Sequence, residues 1–301
     1  MELGAENSHI EKLPAEAAGQ LNYKNNLNQA KLNTRHAIVS GTSGAFAGIL
    51  QVVLLMWLRT TMNVQYAKGG NFFSTLSKLY RFGGVSRLYR GISFALVQNP
   101  VARFGDTAAN TGGLFLLSSH FPETSIFQKT LITTFFSSVW RMLLTPIELA
   151  KTVLQVHGKD GFKVLRERIS ISGLFSLWSG AFAVIIANWI GSYPWFVTFN
   201  FLQDTLKPAL SSNGIIVRNA FIGLCCSVVS DSCSNGVRVV KTVLQTDVDL
   251  GYLSAAQKIY REGGMQAILF RGLFTRLLSN AIQSILFTVV WKICEHKLLS
   301  A

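Results

Sequence analysis

The 301 residues are 49% apolar and 14% charged, with a net charge of +13. Soluble domains carry roughly a quarter of charged residues, so this composition argues against a water-soluble domain. The basic excess would suit nucleic acid only on a continuous basic face, and here long charge-free stretches separate the basic residues: 37–58 and 169–203 hold none.

Residues 1–36 are polar and include Glu2, Glu6, Glu11 and Glu16. They lack the early apolar run of a secretory signal and the acid-poor composition of a transit peptide. They read as a disordered tail, with any targeting information in the remaining chain. Six apolar segments follow, near 37–64, 91–118, 127–155, 180–206, 217–245 and 272–297, each long enough for the roughly 20 residues that a spanning helix needs. Phe72–Tyr80, after the first, has the pattern of a short amphipathic helix. Lysine and arginine gather in the three long connections, as at Lys68, Lys78, Lys159, Lys163, Lys258 and Arg261. The short connections hold little beyond Lys129 and Lys207. The positive-inside rule then places the long loops on the inner face and both termini outside. Cys225, Cys226, Cys233 and Cys294 form no CxxC and have no matching histidines, so no zinc site, disulfide framework or cofactor is expected. They read as small buried hydrophobes.

Two words recur at one pitch. KTVLQ stands at Lys151–Gln155 and at Lys241–Gln245, with a weaker copy, RTTMN, at Arg59–Asn63. Downstream of each, RLYRG ends at Gly91, SLWSG at Gly180 and ILFRG at Gly272. Both words in one register define internal repeats, with boundaries at 37–122, 123–212 and 213–301.

Helix, inner amphipathic segment and helix, repeated three times, resembles the mitochondrial carrier family. That family's signature is Pro-x-Asp/Glu-x-x-Lys/Arg with a glutamine four residues on. The second unit matches it fully with Pro146, Glu148, Lys151 and Gln155. The resemblance implies an all-α membrane protein of six transmembrane helices in three pseudo-symmetric repeats, with short amphipathic helices on the inner surface. It implies a monomer in the mitochondrial inner membrane, although relatives occur in plastids and peroxisomes. It implies transport by alternating access through a central cavity, and no enzyme activity.

The first unit departs from the signature with Leu54 and Met56 before Arg59, and the third with Gly236 and Arg238 before Lys241. The resemblance implies a kink at Pro146, because proline removes a helix hydrogen bond. It pairs Glu148 with Lys241 at an inner gate, leaves Lys151 without an acid and sets Arg238 against Arg59. Gln155 and Gln245 take the bracing positions, with Asn63 in the first unit. The outer gate falls on Thr111 and Leu114, Asn200 and Gln203, and Lys292 and Glu295.

Substrate contact points are implied at Gln98 and Asn99, Ala187 and Asn188, and Ser279 and Asn280, a recurring asparagine that reads either as a ring of amides or as helix-to-helix hydrogen bonding. Ionisable groups inside a span cost about 2.5–3.5 kcal/mol each on insertion scales, so Arg103, Asp106, Arg141, Asp231 and Arg276 are candidates for function. Arg141 and Asp231 share one height in their repeats. They would pair, as a structural bridge or across the cavity, or hold the two ends of a zwitterion. Arg103 and Asp106, three apart on one helix, are expected to neutralise each other, with a substrate contact by Arg103 as the sharper reading. Arg276 lies one turn from Asn280. The expected cargo is a small polar organic metabolite, an amino acid or organic acid. The departures from the signature favour an alternative, a non-transporting scaffold, fission factor or insertase. Arg90–Gly91 and Arg271–Gly272 open helices at the inner surface, where free N–H groups and basic side chains suit lipid head groups such as cardiolipin. Gly44 and Gly48, with Gly41, suggest close helix packing.

Overall fold

A computed structural model of the chain describes residues 48–109, 113–207, 211–248 and 250–299, with side chains as far as Leu286. The tail 1–36, Gly41, Gly44 and Thr111, and the side chains of Lys292, Cys294 and Glu295, lie outside the described residues.

Every described element is helical. In order they are α1 (48–68), α2 (Phe72–Arg81), α3 (Gly84–Leu88), α4 (Ile92–Thr107), α5 (Gly113–His120), α6 (Ile126–Leu143) and α7 (Thr145–His157). After these come α8 (Gly161–Ser172), a 3-10 turn at Leu174–Trp178, α9 (Ala181–Thr205), α10 (Ser212–Thr246), α11 (Tyr252–Phe270) and α12 (Leu273–Leu299). Ser125 and Ser211 cap α6 and α10, their hydroxyl oxygens accepting from the Gln128 and Gly214 amides at 3.3 and 3.0 Å, which satisfies otherwise orphaned helix donors.

The proline and its replacements act differently along the chain. The segment expected to be one helix over 127–155 is two, because α6 stops at Leu143 and α7 restarts at Thr145. Pro146 then sits in the first turn of α7, where its missing N–H costs nothing. Gly236 permits a bend without forcing one, and α10 runs unbroken through it for 35 residues. Among the described residues two stretches, Leu174–Thr205 and Val217–Thr246, are long and apolar enough to cross a membrane. That is fewer than the six read from the sequence. The break at Leu144 shortens one of the others, and α4 runs on through a π turn at 108–109 to residues outside the described ones.

The surface is rich in apolar side chains, and many polar side chains are buried beside the apolar core. Val97, Phe104, Phe136, Phe182, Phe201 and Ile285 face outward, while Gln51, Thr60, Gln155, Asp231 and Asn235 are buried. Such extensive exposed apolar surface marks a membrane or partner face. Inside, α4 packs on α6 and α7, α6 on α9, α9 and α7 on α10, and α10 on α12. The ring closes through α1: Val52 and Met56 pack on Ala95 of α4, and Tyr66 packs on Val239 and Val243 of α10.

Three glycines make that closure possible. Gly91, Gly180 and Gly272, which end the second word, have φ of +80°, +84° and +63°, a region L side chains rarely adopt. A Cβ would stand 3.0 Å from the Lys151 carbonyl at Gly91, 3.1 Å from the Lys241 side chain at Gly180 and 2.7 Å from the Tyr66 ring at Gly272. Each glycine thus touches the helix that carries the first word of the next unit in the ring. No such approach exists at Gly48, where a Cβ would meet nothing within 4 Å, so the GxxxG expectation gains no contact there.

Arginines tie down the helix ends. Arg87 donates to the Gln155 and Val156 carbonyls at 2.7 and 2.9 Å. Burial, with Arg90 close by, holds its guanidinium below its ordinary pKa. Arg168 donates to the Leu244, Gln245 and Asp247 carbonyls at 3.1, 3.3 and 2.5 Å. These are the terminal carbonyls that a helix leaves without partners. At the third junction Tyr66 donates to Asn235 Oδ1 at 2.9 Å, while Asn235 Nδ2 donates to the Leu269 and Arg271 carbonyls at 2.8 and 3.0 Å. Asn235→Ala strands these buried groups and is expected to cost about 1–3 kcal/mol, read as a lower unfolding temperature in detergent.

Candidate functional site: a cationic cavity between the helices

Where α1, α7 and α10 converge, Lys241 Nζ donates to Glu148 Oε1 at 2.7 Å, the pairing expected from the sequence. The two side chains keep only 13% and 19% of their exposure. Their neighbours depart from expectation. Lys151, which contacts no carboxylate among the described residues, donates to Gln98 Oε1, so an expected contact point is held by a gate lysine. Arg59 does not meet Arg238; it donates to Gln283 Oε1 at 3.3 Å, and Arg238 Nε donates to Ser234 Oγ at 3.2 Å. Neither glutamine braces the Glu148–Lys241 pair. Gln155 accepts from Asn63 Nδ2 at 2.6 Å and donates to Thr60 Oγ1 at 3.3 Å. The buried amide of Gln245 has no hydrogen-bond partner among the described residues.

This level opens into a cavity of about 430 Å³. Its wall holds two carboxylates, Asp106 and Glu148, against a larger set of cations. Lys241 is paired with Glu148, Arg141 with Asp106 at 2.5 Å, and Arg276 with Asp231 at 2.7 Å. Four more contact no carboxylate among the described residues: Arg59, Lys151, Arg238 and Arg103, the last of which donates to Gln51 Oε1 at 2.9 Å. Asn99, Ser279 and Asn280 also line this space.

A second cavity of about 470 Å³ adjoins it, lined by Thr130, Thr133, Thr134, Ser137 and Ser138 of α6, by Asn188 and Ser192 of α9 and by Ser230 of α10. Several of these hydroxyls donate backwards along their own helix, as Thr134 does to the Thr130 carbonyl at 2.8 Å and Ser192 to the Asn188 carbonyl at 2.7 Å. They therefore present oxygen lone pairs to the space.

The expected partnerships are corrected here. Arg141 does not pair with Asp231, and Asp106 does not pair with Arg103. Arg141 forks onto Asp106, with Nε 2.9 and 3.1 Å from the two carboxylate oxygens, and Ser137 Oγ donates to the same carboxylate at 2.6 Å. Asp231 instead accepts from Arg276 and from Asn280 Nδ2. A helix places side chains on its own surface, and the fork reaches between helices to a neighbour that sequence spacing does not specify. The three recurring asparagines do not form one ring, since Asn99 and Asn280 face the first cavity and Asn188 the second, while Ala187 is buried and lines neither. At the far level Gln203 accepts from Arg218 Nη1 at 2.6 Å, an arginine the sequence reading passed over. Arg271 Nη2 donates to Glu262 Oε2 at 2.8 Å, while its Nη1 has no hydrogen-bond partner among the described residues. Sequence reasoning also missed the hydroxyl-lined cavity, although Thr130, Thr133, Thr134, Ser137, Ser138 and Arg141 repeat at helical spacing and form a legible polar stripe. No cluster of metal-ligating side chains occurs among the described residues.

A cavity ringed by helices, cationic within and apolar without, has the character of a membrane passage for solutes. The family model for the mitochondrial carrier protein matches residues 123–209 and 213–300, more than half of the chain. The chain belongs to the mitochondrial carrier family. It is thus a member of a family of transporters and not of enzymes. A protein from Dictyostelium discoideum named "Probable mitochondrial 2-oxodicarboxylate carrier" is 23% identical over 256 residues, covering 81% of this chain and 84% of that one. The carrier's first unit, with Leu54 and Met56 in place of the signature proline and acid, lies outside the residues that the family model matches.

Proposed function

We propose that this carrier moves a small organic dianion of the dicarboxylate class, a 2-oxodicarboxylate foremost, through the cationic cavity by alternating access. The observation that carries the reading is the set of four cations, Arg59, Arg103, Lys151 and Arg238, that contact no carboxylate among the described residues. Cations gathered in one cavity without direct carboxylate contacts repel one another, and a dianion that binds there supplies counter-charge. The Dictyostelium relative's printed substrate class points the same way. In this reading the chain forms six spanning helices in three repeats, 37–122, 123–212 and 213–301. It is a monomer of the mitochondrial inner membrane, with lipid head groups at Arg90–Gly91 and Arg271–Gly272.

Thermal unfolding of the purified carrier with 2-oxoglutarate, malonate, zwitterionic amino acids and nucleotides tests this. A ligand at 100 times its Kd adds about 2.7 kcal/mol to stability, a readily measured rise in unfolding temperature. 2-Oxoglutarate is expected to produce it and to drive uptake into liposomes, and Arg238→Ala is expected to reduce that uptake tenfold or more. Stabilisation by neutral amino acids with none by dicarboxylates would replace this reading. A folded carrier that no compound stabilises would favour a non-transporting role.

A further inference from the structure

Four side chains line both cavities and so form the collar between them: Asp106 of α4, Arg141 of α6, Arg238 of α10 and Arg276 of α12. Three are guanidinium groups, and the single carboxylate, Asp106, is forked onto Arg141 through both Nε and Nη2. Arg276 has its acid partner, Asp231, outside both cavity walls. Arg238 donates to the Ser234 hydroxyl and contacts no carboxylate among the described residues. A carboxylate that enters the collar therefore meets two arginines whose faces are not covered by a collar acid, and one that is covered.

We propose that Asp106 is an exchangeable counter-ion for Arg141: it occupies the guanidinium when the carrier is empty, and a cargo carboxylate takes its place to pass from one cavity to the other. The chemistry is matched, because the fork geometry of arginine accepts any carboxylate in the same bidentate way. When Asp106 is displaced, Ser137, which donates to it at 2.6 Å, keeps one hydrogen bond on the released carboxylate. The exchange thus leaves neither partner bare. Asp106 becomes a specificity-determining residue, since a ligand without an anionic group cannot release Arg141. The pair also differs from the Glu148–Lys241 bridge, whose members line only the first cavity. The inference rests on the anionic cargo proposed above.

The test turns on opposite signs for the two partners of one ion pair. In the full-length carrier Asp106→Asn keeps the shape and removes the competing charge, whereas Arg141→Lys keeps a charge and removes the fork. Thermal unfolding in detergent is followed against 2-oxoglutarate and malonate, and liposome uptake gives KM and kcat. For Asp106→Asn we expect the apparent affinity to rise about tenfold, the equivalent of 1.4 kcal/mol, with kcat reduced because release is slowed. For Arg141→Lys we expect affinity to fall at least tenfold. If both variants lose affinity together, or the swapped pair Asp106→Arg with Arg141→Asp restores normal transport, Asp106 is a structural anchor and the proposal is overturned. If another anionic class stabilises the wild type in place of dicarboxylates, the cargo assignment fails, and the counter-ion role still stands or falls on whether Asp106→Asn tightens that ligand. If nothing binds to either the wild type or Asp106→Asn, a carboxylate that yields to no ligand is an anchor, and the proposal is overturned.

Discussion

Glu148→Ala is expected to cost the folded carrier about 3–5 kcal/mol, the range for removing one partner of a buried ion pair. The alanine leaves Lys241 charged and largely enclosed, with Lys151 and Arg238 among the other cations lining the same cavity. No nearby acid among the described residues replaces it, since Asp106 pairs with Arg141 and Asp231 with Arg276. The double variant Glu148→Ala with Lys241→Ala is expected to cost less than Glu148→Ala alone, because it removes the stranded charge too. Thermal unfolding of the two single variants and the double variant gives the coupling directly. A cost below about 0.5 kcal/mol for Glu148→Ala, the level of an exposed pair, would show that water in the cavity already supports both charges.

Gly105→Leu is expected to damage stability and transport together. Gly105 lies on α4, one residue before Asp106, and a Cβ there would fall inside the indole ring of Trp140. Trp140 cannot easily step aside, because its Nε1 donates to the Val101 carbonyl at 3.0 Å. Overpacking of this kind costs about 1–3 kcal/mol and occasionally more. Here it also pushes α4 from α6 at the level where Asp106 meets Arg141, so loss of transport should accompany loss of stability. Gly105→Ala should show a smaller form of both effects in unfolding and uptake assays. An unchanged carrier in either assay would mean that the two helices separate freely at this level.

The repeats were legible in the sequence because their words are local. A glycine with positive φ and a helix that ends at a proline leave marks within a few residues, and Gly91, Gly180, Gly272 and Pro146 all act where the words place them. The Glu148–Lys241 pair was legible through the resemblance, since both residues belong to its signature. The remaining partnerships were not. Whether Asp106 reaches Arg103 on its own helix or Arg141 on the next depends on helix rotation and on Gly105 admitting Trp140, and no spacing rule encodes either. Equal height in the repeats misled for Arg141 and Asp231, because height does not specify which neighbour lies closest around the ring. The cations without acids were visible one by one, yet their gathering in one space needed the fold.

The continuity of α10 has a mechanical consequence. At about 1.5 Å per residue its 35 residues span roughly 52 Å, well beyond a hydrocarbon core of about 30 Å. It therefore slants through the bilayer or projects from it, and it behaves as a stiff strut. α1 is likewise unbroken over 48–68, whereas the corresponding rod in the second unit is jointed at Leu144. If the gate-side ends must spread to admit cargo, two of the three struts can only swing as whole rods while one can flex at its elbow. Motion in this carrier should then be lopsided, with the second unit yielding first.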